Sequence, residues 1–191
     1  RSIDCRWQRG GNASNNCTVL AQLGSDCEFF GSVSNTVFWQ FIKKDFEKYS
    51  IDIQHCIMHE NKEFPLSTVI INLKNGSRTI VHSNKQWPEI TFEDFIKLNM
   101  SDYSWIHFEG RNIDELLKMM VYVSDYNSNG CLSPVKVSLE IEKPNSDLLN
   151  LAPLADVVFI GKDFAVHYGW VNMEDAVDVM KFYIKSRCAI N

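Results

Sequence analysis

Short apolar runs alternate with amphipathic stretches along most of this 191-residue chain, and that alternation constrains the fold more than any single motif. Ala13, Cys17, Leu20 and Ala21 recur at helical spacing, which predicts a helix over 11–23 stopped by Gly24. A short strand over 27–33 follows. Val37, Phe38, Phe41, Ile42 and Phe46 then mark a helix over 36–49 with lysines on its far side, and 51–58 reads as extended. Thr91 caps a helix to about residue 98, and "SWIHFEG" is a strand. Asn112 with Glu115 three residues on spells a capping box, opening a helix to about residue 126. Strands at 135–141 and 156–160 and helices at 163–168 and 173–185 complete the series. Strand followed by helix, repeated, is the pattern of an α/β fold. It predicts a doubly wound, mostly parallel sheet with helices on both faces.

One segment breaks the alternation. "LSTVIINLKNGSRTIVHS", residues 66–83, holds two β-rich runs around Asn75-Gly76, a dipeptide that favours a tight hairpin. A hairpin here projects from the main sheet as a flap or an oligomer contact.

A net charge of -5 and no basic run longer than Lys43-Lys44 argue against a nucleic-acid surface. No apolar run is long enough to span a membrane. The six cysteines show no CxxC pairing and no metal-ligand spacing with histidine, which points to reduced thiols, a cytoplasmic location and no metal site of their own. Sequons at Asn12, Asn16, Asn75 and Asn99 would matter only in a secreted protein.

Four places carry possible chemistry. Gly10-Gly11 ahead of a helix lets backbone approach a ligand, but neither GxGxxG nor GxxxxGK[ST] is present. Asn12 and Asn15 both donate and accept, which suits a polyol better than a phosphate. A plain helix start capped by asparagine remains the alternative. The expected strand ends read "HFEGRN", "EIEKP" and "IGKD", each with a cation: Arg111, Lys143 and Lys162. Each alone is a solvated turn; together they could converge on a polyphosphate at the carboxyl edge of a sheet. No histidine has a partner at triad or zinc spacing.

The strings "QRGGNASNNCTVLAQLG", "NGSRTIVHS", "WIHFEGRN", "EIEKP" and "DVVFIGKD" come in the order and approximate spacing of the ribokinase-like (PfkB) carbohydrate kinases, and the chain resembles their fructose-phosphorylating animal branch. The resemblance implies that Gly11, Asn12 and Asn15 hold sugar hydroxyls and that Arg78 contacts ATP. It implies that Arg111 and Lys143 lie near the transferred phosphate, with Lys162 a weaker candidate. It further implies ATP and Mg²⁺ as cosubstrate and cofactor, and fructose or a similar ketose as acceptor. Residues 66–83 become a lid that clasps a second subunit in a homodimer.

Two family elements have no match. The first strand, with its sugar-binding aspartate, would precede Arg1, and no Gly-Ala-Gly-Asp string with the catalytic aspartate occurs. The expectation is therefore an incomplete kinase domain over 1–191 that contains no catalytic residue and is inactive by itself. Two alternatives stand beside it: a PfkB kinase for another sugar or a nucleoside, and a non-catalytic dimerising product.

Overall fold

Gly11 sets the start of the first helix, because its φ of 95° lies where side chains other than hydrogen are strained. The computed structural model describes residues 2–185, so Cys188 lies outside the described residues. The chain divides into two compact units, one running to Ile90 and one from Thr91.

In the first unit, α1 (Asn12–Gln22) ends before Gly24, whose φ of 87° is the left-handed stop expected of it. Its Cys17 packs with Ile51 and with Phe46 of α2 (Val37–Lys48). The strand expected over 27–33 shrinks to β1 (Ser32–Ser34), parallel to β2 (Ile57–His59), with a lone bridge Glu28↔Asp52 before it. Between bridge and strand the register slips, since Glu28 pairs with Asp52 but Ser32 pairs with Ile57. That extra residue is a bulge-like interruption. The extra residue lies on the 52–57 side, where the Cys56 N–H donates to the Ile53 carbonyl (3.1 Å) in a turn; on the facing segment the Phe29 ring folds over Gly31 and stacks on Phe46 at 5.1 Å.

The hairpin forms as expected from β3 (Leu66–Ile71) and β4 (Arg78–Ser83), antiparallel in continuous register. Its turn is wider than the tight one that Asn75-Gly76 suggests. Asn72 and Ser77 close it (2.8 Å), and the Gly76 N–H donates back to the Asn72 carbonyl (2.8 Å). Asn72 and Asn75 each accept from the backbone N–H two residues on, and these side-chain turns displace the two-residue solution.

In the second unit Thr91 and Asp94 form the full capping box of α3 (Phe92–Phe95), a helix shorter than expected. Then come β5 (Trp105–Glu109), α4 (Ile113–Ser128), β6 (Lys136–Ile141), β7 (Val157–Ile160), α5 (Lys162–His167) and α6 (Met173–Lys185). The capping box expected at Asn112 does not form. Asn112 takes a left-handed backbone (φ 47°), while Glu115 accepts from the Phe92 N–H (2.6 Å). Strands β5, β6 and β7 are adjacent and parallel in that order.

Alternation along β6 divides its residues between two faces. Val137, Leu139 and Ile141 are at most 3% exposed, as are Met120 and Val123 of α4. Each such side chain stabilises by about 1.5–3 kcal/mol. The same core takes Leu148 and Leu151 from a 3₁₀ stretch, Ser146–Leu154, whose Asn, Asp and Pro disguise it as a loop in the sequence. Among the described residues no helix is long and apolar enough to cross a membrane.

Candidate functional site

Parallel register brings the three cation-bearing strand ends side by side in the second unit. Glu109 pairs with Glu140, and Ile141 with Ile160, so Arg111, Lys143 and Lys162 all follow the same carboxyl edge. The strands can approach there because two glycines lack side chains. A Cβ on Gly110 would stand 2.4 Å from the Glu140 carbonyl oxygen, and one on Gly161 would stand 3.0 Å from the Glu142 Cα. The Arg111 N–H donates to the Glu109 carbonyl (2.8 Å), fixing the turn that presents Arg111. Lys143 is exposed and pairs with neighbouring Glu142 at 3.2 Å.

Acids accompany these cations. Burial, and then the charge of Glu109, push the Glu140 carboxyl above its ordinary value, while His107 acts against the shift. On the polar face of the sheet, His107 Nδ1 lies 2.9 Å from Ser138 Oγ, and Trp105 Nε1 donates to the same oxygen at 2.8 Å. The other ring nitrogen of His107 is 3.6 Å from Glu109. Among the described residues no group of three or more His, Cys, Asp or Glu side chains is arranged to hold a metal ion.

The sugar-side candidates belong to the first unit. Gly11 is the N-cap of α1, without a side-chain cap bond, and Asn12 and Asn15 share its first turn one above the other. Asn15 lines a cleft of about 230 Å³ with Trp7, Gln8, Arg9, Thr18 and Asp45. Arg78 opens β4 opposite Ile71 and is exposed with the rest of the hairpin.

One residue that organises this region is not evident from sequence. Arg9 is 8% exposed, and its guanidinium donates to Asp45 (2.7 Å), to the Ser14 carbonyl (2.8 Å) and to Thr18. It also lies 4.1 Å above the Phe46 ring. Arg9 thereby fixes the glycine turn and α1 against α2. Its acidic partner is 36 residues away, so the only local signal is an arginine directly before two glycines.

Other reactive side chains have structural uses. Burial pushes the thiols of Cys17 and Cys56 up to about 12, which removes them as nucleophiles. His55 is tied to Glu28 at 2.7 Å. A second cleft, of about 330 Å³, lies at the end of α4 beside Tyr122, Tyr126 and Cys131. As α4 returns antiparallel to the strands, that cleft sits at their amino ends, away from the cations.

Known proteins share both sequence and fold. Mouse ketohexokinase is 39% identical over 182 residues, covering 95% of this chain, which spans 60% of that protein's length. The fructokinase of Xylella fastidiosa, solved with bound ATP, superposes with a TM-score of 0.70 at 20% identity, covering 98% of this chain and 63% of that one. A PfkB protein from Polaromonas sp. JS666 gives a TM-score of 0.71 at 14% identity, covering 92% and 64% of the two chains. The family model described as pfkB family carbohydrate kinase matches residues 4–167, and this chain belongs to that family.

Proposed function

We propose that this chain carries the sugar side and part of the phosphate side of an ATP-dependent kinase that makes fructose 1-phosphate from fructose. The observation that supports this most is the shared carboxyl edge of β5, β6 and β7, with Arg111, Lys143 and Lys162 following it, in a chain akin to ketohexokinase. Phosphoryl transfer depends mainly on alignment and on neutralising phosphate charge, and cations on a rigid sheet edge supply both. Gly11, Asn12 and Asn15 hold the sugar hydroxyls at the start of α1, and Arg78 reaches ATP from the hairpin. Residues 1–191 form part of one kinase domain, with 66–83 as its lid.

Mg²⁺ enters on the nucleotide phosphates, because the described side chains do not cluster to hold it alone. No Gly-Ala-Gly-Asp string occurs in the 191 residues, and a positioned general base typically contributes about 10²–10⁴-fold. These residues alone therefore bind but do not turn over, and the complete enzyme works in the cytoplasm. The test is a coupled ATP assay on two proteins: the 191 residues alone, and a form extended through a Gly-Ala-Gly-Asp string. Only the extended form should phosphorylate fructose, and Asn15→Ala in it should raise the fructose KM about tenfold, the loss of about one hydrogen bond. Turnover by the short form, or an unchanged KM, would overturn the reading.

The hairpin supports a homodimer. Leu66, Val69, Ile70, Ile71, Ile80 and Val81 are each between 48% and 61% exposed, so both of its faces offer apolar surface to a second subunit. Sedimentation should show a dimer that Ile70→Lys dissociates; a monomer under all conditions would remove the clasp. Dimerisation without phosphorylation by an extended form would favour a non-catalytic module.

A further inference from the structure

We propose that the ring of His107 is held in one tautomer by Ser138 and Trp105, so that its Nε2–H faces the Glu109 carboxylate at the strand ends. The indole of Trp105 can only donate, and it donates to Ser138 Oγ at 2.8 Å. Ser138 is 2% exposed, so its single hydroxyl proton needs a protein acceptor. His107 Nδ1, at 2.9 Å, is that acceptor. The ring proton is then left on Nε2, 3.6 Å from Glu109 Oε1, an electrostatic contact rather than a full hydrogen bond. The chain of contacts has one polarity because a donor-only group stands at one end and a carboxylate at the other.

The consequence lies in the acidic pair. Glu109 and Glu140 are register partners on neighbouring strands, and both repel when ionised. The charged groups around Glu140 are Glu109 and Glu142, and His107 opposes their repulsion only when its ring is protonated. Phe159, register partner of Glu140, closes the other side, with its ring 6.0 Å from that of His107. The Nε2–H of His107 thus faces Glu109 beside the turn that presents Arg111. Assigning that turn to the phosphate side rests on the kinase reading; the polarity of the contacts does not.

Nitrogen-edited NMR on the isotope-labelled chain at neutral pH reads the tautomer directly, and His107 should carry its proton on Nε2. A proton on Nδ1 would overturn the proposal. In Ser138→Ala the ring should become a mixture of tautomers and the Trp105 indole proton should exchange faster; an unchanged tautomer would also overturn it. None of these measurements contains sugar or ATP, so loss of the kinase reading, tested separately by the fructose assay, would leave them standing.

Discussion

The hairpin of β3 and β4 and the sheet of β5, β6 and β7 are both built from β-branched and apolar residues, yet they meet water in opposite ways. All twelve hairpin residues are exposed, six in each strand. In β6, by contrast, Leu139 and Ile141 are 0% exposed. Local chemistry suffices to specify a hairpin, because turn residues and cross-strand pairs act over a few positions. It does not supply stability, since a two-stranded hairpin alone is marginal in water. The parallel sheet has no local turn to help it and depends on cover from α4 and Ser146–Leu154.

Truncating a side chain in each region should break the symmetry most sharply. Leu139→Ala removes a fully buried side chain and should cost about 2–5 kcal/mol in urea unfolding. Ile70→Ala, 60% exposed, should change stability by less than about 0.5 kcal/mol in a monomer. Equal losses would mean that the hairpin is covered after all. A smaller effect, about 1–3 kcal/mol, is expected from Gly110→Ala, because a Cβ there meets the Glu140 carbonyl at 2.4 Å and backbone must yield. Gly76→Ala is no fair control, since Gly76 needs its positive φ, but exposed Ser77→Ala should be nearly silent.

Smallest is a pH effect confined to the sheet. Glu140 has a folded pKa raised by burial and by Glu109, so its ionised form disfavours the folded state. That penalty is fully present above the folded pKa and fades as pH falls toward the ordinary glutamate value. Glu140→Gln should therefore raise the urea midpoint at neutral pH and lose its advantage in acid. A gain that persists at low pH would point to packing instead of charge.

The sheet edge was the most legible part of the site. Once strand and helix alternate, parallel pairing follows, and parallel pairing places Arg111, Lys143 and Lys162 after the same edge without knowledge of any long-range contact. The Thr91 cap and the Gly24 stop were legible for a similar reason, as both act within one turn. What sequence hid was remote. Glu115 looks like the partner of Asn112 three residues back, but it finds the Phe92 N–H 23 residues back. Arg9 looks like a solvated arginine until Asp45 arrives from another helix. The bulge before β2 goes with a turn in which the Cys56 N–H donates to the Ile53 carbonyl, which no periodicity records.

Leu66–Ile71 reads "LSTVII", six residues without a charge, a proline or a glycine. Both strands of the hairpin are edge strands within their two-stranded sheet, so each leaves a row of unpaired backbone groups able to template further strands. Uncovered, the segment is a seed for cross-β assembly, and Lys62 and Glu63 before it with Lys74 after it stand where charge would slow growth. If the hairpin takes a second subunit as proposed, the element that offers a partner is also the one through which the protein would precipitate when that partner is missing.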